Sequence, residues 1–229
     1  MTVADTMPKP QCIELTAADG HRLSAWSAQP AGTPKGGVVV LHAVYGATLH
    51  MGDVCARWAA AGYRALAPAL FDRLGPDIVH PYDRPNDGIQ SYDALTDTQI
   101  YADIHAAVAA AGSTGKVAIS GFCTGGSWAW RAAAKFRFPA QVNFYGSHIP
   151  ALIDLVPQCP TILHYGEKDG LAPPLQIERI RARHPTVKLH VYPGAAHAFE
   201  NIEQASYDAA AADLAWQRSI AFMDRHVAS

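Results

Sequence analysis

A cysteine between two glycines is the first feature of the sequence that could do chemistry. Residues 121–125 read Gly-Phe-Cys-Thr-Gly and follow the apolar run 117–119 after one serine. In a sharp turn from a strand into a helix, small neighbours relieve crowding as the chain reverses. The thiol of Cys123 would then lie at the start of a helix predicted at 126–136, where the helix dipole and free N–H groups favour a thiolate. The backbone N–H of Thr124 could hold the oxyanion that forms when a carbonyl is attacked.

The cysteine alone does not establish catalysis, because a free cysteine is often a small apolar packing residue. A nucleophile needs a base, and the base needs an acid that orients it. Two further predicted strands end in suitable groups: Asp169 follows strand 161–165, and His197 lies in the loop after strand 188–192. Glu167 competes as the acid, and we favour Asp169 because it lies deeper in its loop.

The other histidines and cysteines are expected to be bystanders. Most of the 11 histidines must be structural or solvated. Three are predicted at solvated surface positions: His184, His190 and His226. Two are predicted to be packed and hydrogen-bonded inside or beside strands: His42 and His164. Three cysteines do not lie between two glycines and are expected to be structural: Cys12, Cys55 and Cys159.

Strands and helices alternate along the chain, and these elements must position the candidate groups. Two short strands around the Asp-Gly pair at 19–20 predict an antiparallel entry hairpin. The continuous apolar run 38–41 is typical of a strand covered on both faces. Further strands are predicted at 63–67, 116–120, 141–145, 161–165 and 188–192. Helices are predicted at 53–61, 96–111, 126–136, 175–183 and 207–226. The alternation predicts one α/β domain spanning 1–229, a mostly parallel sheet with helices on both faces and ligands at the carboxyl ends of its strands.

One segment, residues 71–95, breaks this alternation. It carries several aspartates, prolines, arginines and aromatics without a clear period. A long irregular loop inside a compact domain is usually functional. We expect this segment to be a cover loop over the site.

Composition excludes several classes of partner. The chain has 229 residues, 49% of them hydrophobic, and a formal net charge of -2, which gives no electrostatic attraction to nucleic acid or an anionic membrane. The first residues do not resemble a signal peptide, and no segment reaches the roughly 20 apolar residues of a membrane span. The four cysteines show no metal spacing. We expect a cytoplasmic protein with reduced thiols, no metal and no cofactor, acting on a small molecule, with its oligomeric state left open.

Taken together, three motifs resemble the dienelactone hydrolase family, a cysteine branch of the α/β-hydrolase fold. They are Gly-Phe-Cys-Thr-Gly-Gly at 121–126, Gly-Glu-Lys-Asp at 166–169 and Ala-His-Ala-Phe at 196–199. The order nucleophile, acid, histidine is the order of that fold. The resemblance implies a triad of Cys123, Asp169 and His197 that cleaves an ester or lactone through an acyl-thioester. It also implies a second oxyanion donor, the N–H of Val44.

Two positions depart from the family pattern. The family has a glutamate where this chain has Ala43, and that glutamate pairs with the resting cysteine. Without it, Cys123 would rely directly on His197 as a thiolate–imidazolium pair. The family also has an arginine for the substrate carboxylate where this chain has Asn201. We therefore do not expect dienelactone itself to be the physiological substrate.

Substrate contacts are predicted from aromatic and polar residues near strand ends and in the loop at 71–95. Tyr45 and Tyr145 are the stronger aromatic candidates, and two arginines could hold an anion in place of the missing one. The full set of candidates is Tyr45, Tyr145, Arg73, Arg84, Trp128, Phe199 and Asn201.

Two other functions remain open from the sequence. A glutamine-amidotransferase-like or DJ-1-like enzyme also places a cysteine at a strand-to-helix turn, although the distance from Asp169 to His197 in the sequence argues against it. The other alternative is a binding or regulatory protein that kept the fold and lost turnover. Ala43 would be the first indication of that loss. That alternative predicts an ordinary, slowly alkylated thiol at Cys123.

Overall fold

The structure is a computed structural model that describes residues 7–112 and 116–228. The chain divides into two compact units, the first ending at Val117 and the second beginning at Ala118. The single domain expected over residues 1–229 stays a prediction.

The first unit contains four strands in the order β1-β2-β4-β3. Strands β1 and β2 form the predicted antiparallel hairpin, β2 also pairs antiparallel with β4, and β3 and β4 are parallel. The strands are β1 (Gln11–Thr16), β2 (Arg22–Ala28), β3 (Gly37–Leu41) and β4 (Arg64–Pro68). The helices are α1 (Leu49–Ala60), α2 (Pro85–Asp93) and α3 (Asp97–Ala111), with a 3₁₀ turn at Leu70–Arg73.

Local chemistry explains the main elements of this unit. Every residue of β3 is buried, as its continuous apolar sequence predicts. Helix α3 begins with a capping box, in which the Thr96 hydroxyl accepts the Gln99 N–H and the Gln99 side chain accepts the Thr96 N–H. These reciprocal bonds satisfy two backbone donors that the first helical turn leaves free.

The second unit contains four parallel strands in the order β5-β6-β7-β8. Parallel pairing brings the carboxyl ends of all four strands to one edge. The strands are β5 (Val117–Phe122), β6 (Gln141–Phe144), β7 (Thr161–Gly166) and β8 (Lys188–Tyr192). The helices are α4 (Thr124–Lys135), α5 (Pro174–Arg183) and α6 (Ala209–His226), with a 3₁₀ turn at Ile149–Leu152.

The predicted fold class, a mostly parallel α/β architecture with an antiparallel N-terminal hairpin, is confirmed. Three details differ from expectation. Helix α1 begins at Leu49 rather than at residue 53. Helix α4 begins at Thr124 rather than at residue 126, because Cys123 itself occupies the cap position. The segment 71–95 is not irregular throughout, since Pro85 at a first helical position starts α2 within it. In the described residues no helix combines the length and the apolar character needed to cross a bilayer.

Candidate active site

Cys123 lies in the sharp turn that the glycine-framed motif predicts. Its backbone has φ 54° and ψ −119°, a left-handed conformation that costs an L-residue about 1–3 kcal/mol. Backbone hydrogen bonds hold the turn in place. The Cys123 N–H donates to the carbonyl of Phe144 at 3.0 Å. The Cys123 carbonyl accepts the N–H groups of Ser127 and Ser147, each at 3.2 Å. A Cβ at Gly121 would overlap the Gly125 carbonyl oxygen, so this close approach requires glycine. The thiol is therefore held rigidly at the first turn of α4.

Asp169 and His197 come together at the ends of the neighbouring strands β7 and β8. The Nδ1 of His197 lies 2.9 Å from Oδ2 of Asp169, whose side chain is fully buried. The other carboxylate oxygen, Oδ1, accepts the N–H of Leu171 at 2.9 Å. Because a carboxylate only accepts, Nδ1 carries the proton and Nε2 is the atom left for acid–base chemistry.

Glu167, the competing acid, has a different partner. Its side chain is exposed and accepts the N–H of Gly194 at 2.9 Å. This bond ties the loop after β7 to the loop that carries His197. The geometry supports Asp169 as the orienting acid and gives Glu167 a supporting contact behind it.

The electrostatics of Cys123 and His197 favour an ion pair. Burial opposes ionisation of the thiol, but hydrogen bonding and charge from His197, with hydrogen bonds from Ser147 and Thr124, outweigh burial and lower the pKa of Cys123. Burial likewise disfavours the imidazolium, yet Asp169 and Cys123 together raise the pKa of His197 to about 10. The buried Nε2 of His197 has no partner within strict hydrogen-bond limits of distance and angle. The imidazole of His197 therefore acts on the Cys123 sulfur through a contact that is looser than an ideal hydrogen bond.

Tyr145 is the aromatic residue that packs against the candidate base. It directly follows β6, has φ 42° and is buried. Its ring centre lies 5.0 Å from that of His197 and 5.6 Å from that of Phe199, both in edge-to-face arrangements. A second strained residue beside His197 supports this edge as a functional site. Contact of Tyr145 with a substrate stays a prediction.

The other substrate candidates of the second unit have structural partners. Phe199 has no exposed surface and packs on Tyr145 and Tyr192, and its contact with a substrate stays a prediction. Asn201 is buried, and its Oδ1 accepts the N–H of Glu203 at 2.9 Å. Trp128 is buried in α4, with the guanidinium of Arg131 4.1 Å from its ring centre. Substrate contacts of Asn201 and Trp128 stay predictions.

Arg73, in the first unit, is bonded to carboxylates of the fold. Its Nε and Nη2 form a fork to the buried Asp103, each at 2.8 Å, and its Nη1 reaches Asp19 at 2.8 Å. Only 6% of the side chain is exposed. The guanidinium thus binds two carboxylates of the fold, and its role in binding an anionic substrate stays a prediction.

The remaining candidates of the first unit are Arg84, Tyr45 and Val44. Arg84 is exposed and lies 3.4 Å from Asp87 in the first turn of α2. The ring of Tyr45 meets that of Tyr82 edge to face at 4.6 Å. Val44 is buried in the turn after β3. Substrate contacts of the first two and the oxyanion role of Val44 N–H stay predictions.

The bystander histidines follow the predictions with one clear exception. His42 and His164 are fully buried and hydrogen-bonded, and burial lowers the pKa of each. His190 and His226 are only partly exposed. His184 was predicted to be solvated and is instead buried, with Nε2 2.7 Å from the carbonyl of Ile153. The 3₁₀ turn near Ile153, which has no sequence signal, supplies that partner.

The other cysteines lack the environment of Cys123. Burial raises the pKa of Cys55 far above its usual range and that of Cys159 to about 11. Cys12 is exposed, in β1. Among residues 7–112 and 116–228, no group of three or more histidine, cysteine or acidic side chains could hold a metal ion.

Sequence reasoning missed the two serines that surround the turn. Ser127 donates its N–H to the Cys123 carbonyl, and its Oγ lies 3.4 Å from the same oxygen. Ser147 donates from the segment after β6. Ser127 reaches the cysteine through the first turn of α4, in which its N–H lies four residues after the carbonyl that it contacts. Ser147 carries no signal in the sequence, because only the pairing of β5 with β6 brings the segment after β6 to the cysteine.

Known proteins that are similar to this chain over most of its length carry dienelactone hydrolase or carboxymethylenebutenolidase names. A sequence model described as "Dienelactone hydrolase family" matches residues 23–227. "Putative carboxymethylenebutenolidase" from Yersinia pestis is 32% identical over 94% of this chain and 88% of its own length. "Carboxymethylenebutenolidase" from Pseudomonas putida is 28% identical over 92% of this chain and 94% of its own. A solved "Putative Dienelactone Hydrolase" from Klebsiella pneumoniae has a TM-score of 0.78 and 29% identity, covering 94% of this chain and 99% of that one.

Proposed function

The chain belongs to the dienelactone hydrolase family, with its α/β-hydrolase fold, and from that premise we propose that it cleaves an ester or lactone of a small molecule with Cys123 as nucleophile. The observation that carries the proposal is the convergence of three strand ends. The strained Cys123 follows β5, and the pair of Asp169 and His197 follows β7 and β8 with a separation of 2.9 Å between Oδ2 and Nδ1. Nucleophile, base and orienting acid are the three parts that acyl transfer needs.

In the first half-reaction the Cys123 thiolate attacks the carbonyl carbon of the substrate. The carbonyl π electrons move to oxygen, and the N–H of Thr124 at the start of α4 holds that oxyanion. As the tetrahedral intermediate collapses, the C–O bond breaks and the imidazolium of His197 gives its Nε2 proton to the leaving oxygen. An acyl-thioester on Cys123 remains. The N–H of Val44 is our proposed second donor to the oxyanion.

In the second half-reaction His197 acts as a base. Its neutral Nε2 takes a proton from water while the water oxygen attacks the thioester carbonyl. The intermediate expels the Cys123 thiolate and releases the acid, which restores the resting ion pair. Asp169 keeps Nδ1 protonated throughout and stabilises the imidazolium each time it forms.

Two positions depart from the family pattern: one affects the resting charge of the proposed nucleophile and base, and the other affects the proposed substrate. Ala43 supplies no carboxylate to hold the thiol neutral, so the pair of Cys123 and His197 is charged at rest, as the directions of both pKa shifts support. Asn201 carries no charge, and its carbonyl oxygen is bonded to a backbone N–H. We therefore propose a substrate without an obligatory carboxylate at that position, rather than dienelactone itself.

The test is turnover of small aryl esters, lactones and thioesters by the wild-type chain and by Cys123→Ala. Mass spectrometry of the quenched reaction should show one acyl adduct on Cys123. Cys159→Ala is the matched control, because it removes a thiol whose burial raises its pKa to about 11, and it should keep full activity. Undiminished turnover in Cys123→Ala would refute the proposal, and the absence of turnover on every substrate would favour the regulatory alternative.

A further inference from the structure

A buried histidine of β7 takes no part in the proposed chemistry, yet it joins three elements of the second unit. His164 has no exposed surface, and both of its ring nitrogens have partners. Nδ1 lies 2.8 Å from the Tyr192 hydroxyl at the end of β8, and Nε2 lies 3.0 Å from Oγ of Ser219 in α6. The side chain of His164 therefore connects the last strand to the terminal helix.

The protons in this series of hydrogen bonds have one arrangement. The Ser219 hydroxyl donates its single proton to the Ala215 carbonyl at 2.8 Å, so its oxygen accepts from Nε2–H of His164. Burial lowers the pKa of His164 well below its usual value, so the ring is neutral and Nδ1 is an acceptor. The Tyr192 O–H then donates to Nδ1. Three hydrogen bonds thus run in one direction, from Tyr192 to the backbone of α6.

The backbone of Tyr192 is bonded to both loops that carry the proposed acid and base. Its carbonyl accepts the N–H of Glu167 at 2.9 Å, two residues before Asp169. The same carbonyl accepts the N–H of Ala195 at 3.3 Å, two residues before His197. The position of Tyr192 therefore affects how these two loops meet.

The ring of Tyr192 also reaches the proposed base, through aromatic packing. Its centre lies 5.0 Å from that of Phe199, whose ring meets that of Tyr145 edge to face at 5.6 Å. Tyr145 in turn meets the imidazole of His197 edge to face at 5.0 Å. The three aromatic residues are buried. Because close-packed interiors transmit small displacements, the orientation of the Tyr192 ring affects that of the imidazole.

We propose that His164 and Tyr192 are positioning residues of the site: the hydrogen bonds that run from Tyr192 through His164 to α6 fix the ring and the carbonyl of Tyr192, and these hold the His197 imidazole in place. The inference rests on the proposed function, since it names what positions the proposed base. Both residues act through His197 rather than through the substrate. Their effect should therefore fall on the chemical step and leave substrate binding unchanged.

The first test is Tyr192→Phe, which keeps the ring and removes the donor to His164. Steady-state kinetics on one aryl ester should show kcat about tenfold lower and KM within about twofold of the wild type, because a misplaced base slows the chemical step. A loss confined to KM would overturn the proposal, since it would place Tyr192 in substrate binding.

Thr161→Val is the matched control for the loss of a buried hydroxyl. Oγ1 of Thr161 donates to the Cys159 carbonyl at 3.1 Å, at the opposite end of β7 from the site. Urea unfolding should show a similar loss of stability in Thr161→Val and Tyr192→Phe, whereas kcat of Thr161→Val should equal that of the wild type. If kcat of Tyr192→Phe matches that of this control, the proposal is wrong.

Variants of the histidine keep the proposal testable if Tyr192→Phe fails to fold, which circular dichroism will show. In His164→Gln the side-chain amide can accept from Tyr192 and donate to Ser219, so kcat should stay within about threefold of the wild type. His164→Leu fills the site without either group, and kcat should fall about tenfold. Equal kcat values in these two variants would count against the proposal, because only the first can restore the hydrogen bonds.

Alkylation of Cys123 by iodoacetamide as a function of pH gives a readout that does not need turnover. A displaced imidazole stabilises the thiolate less, so the midpoint should rise by about half a pH unit in Tyr192→Phe and stay unchanged in Thr161→Val. In a chain that cleaves no ester, this shift would support the positioning role and count against the proposed function. An unchanged midpoint in Tyr192→Phe would refute the positioning role with or without turnover.

Discussion

Two carboxylates lie within three residues of each other after β7, and only one is in contact with the imidazole of His197. Asp169 is buried and bonded to Nδ1, whereas Glu167 is exposed and bonded to a backbone N–H of the neighbouring loop. An acid that orients a base must touch it, since its effect depends on fixing one tautomer and on opposing the charge of the imidazolium. The two residues can therefore be separated by substitutions of matched shape.

Asp169→Asn should lower kcat/KM by about a hundredfold or more, because an amide can present its N–H₂ to Nδ1 and stabilises the wrong tautomer. Glu167→Gln keeps an oxygen for the Gly194 N–H and should stay within about twofold of the wild type. Steady-state kinetics on one aryl ester measure both. Equal losses in the two variants would show that the acid has been misassigned.

At the scale of elements, helix α2 is packed against the turn that follows β3. Gly88 of α2 has no room for a side chain, because a Cβ there would overlap the carbonyl oxygen of Val44. The Tyr92 hydroxyl, one turn further along, donates to the His42 carbonyl at 2.7 Å. The segment 71–95 thus fixes the backbone of residues 42–46 within the first unit, in addition to any covering role.

Gly88→Ala should destabilise the chain by about 1–3 kcal/mol, the usual cost of forcing atoms into a packed site. Alanine favours a helix over glycine by about 1 kcal/mol, which acts in the opposite direction. The overlap should prevail, because a backbone carbonyl cannot move aside as a flexible side chain can. Urea unfolding measures the difference, with Ile89→Ala at an exposed neighbouring position as the control, expected within about 0.5 kcal/mol. A stabilised Gly88→Ala would show that α2 shifts freely.

The elements that the sequence predicts well are those whose own residues determine them. The run at 38–41 is apolar throughout, and such a run fits a strand buried on both faces, as β3 is. The glycine frame likewise predicts the turn at Cys123, and the loops after β7 and β8 predict its partners. Each of these signals is local, so no knowledge of distant contacts is needed.

The features that escaped prediction depend on contacts between distant parts of the chain. Helix α2 buries only Gly88 and Tyr92, which is too little for a periodic apolar pattern. His184 is buried, and its Nε2 donates a hydrogen bond to the carbonyl of Ile153, which lies 31 residues earlier in the sequence. Arg73 was predicted to hold an anion, and the two aspartates that occupy it lie 54 and 30 residues away in the sequence.

At the scale of the molecule, the placement of thiols determines how oxidation will proceed. In the second unit Ile119, Gln141 and Thr161 are in register across β5, β6 and β7. Cys123 follows that line by four residues and Cys159 precedes it by two, a separation of about 20 Å along the strands. A disulfide needs Cα atoms within roughly 7 Å, so Cys159 cannot reach an oxidised Cys123.

Because Cys123 is the proposed nucleophile, hydrogen peroxide should inactivate the enzyme. The separation predicts that no bond forms between these two cysteines. The Cys123 thiolate attacks one peroxide oxygen, hydroxide leaves, and a sulfenic acid remains that further peroxide oxidises to the sulfinic acid. Intact-mass and peptide spectra under non-reducing conditions should show one and then two added oxygens on Cys123. Early loss of activity should reverse with dithiothreitol and late loss should not. A peptide linking residues 123 and 159 would contradict the register.

The left-handed backbone at Cys123 also affects the stability of the whole chain. Glycine adopts φ 54° without strain, so Cys123→Gly should be more stable to urea than Cys123→Ala, which keeps the Cβ. Relief of about 1–3 kcal/mol of strain exceeds the about 0.4–1 kcal/mol by which glycine stabilises the unfolded chain, leaving a gain of about 1 kcal/mol. Equal unfolding midpoints would show that the turn is relaxed.

The strained backbone at Cys123 lowers the stability of the chain at the one position where the proposed chemistry requires a thiol. A laboratory selection that rewards survival of heating alone should drift toward glycine at this position and accumulate inert proteins. A selection that demands turnover should keep the cysteine and find its gains in thermal tolerance elsewhere, at positions remote from the turn.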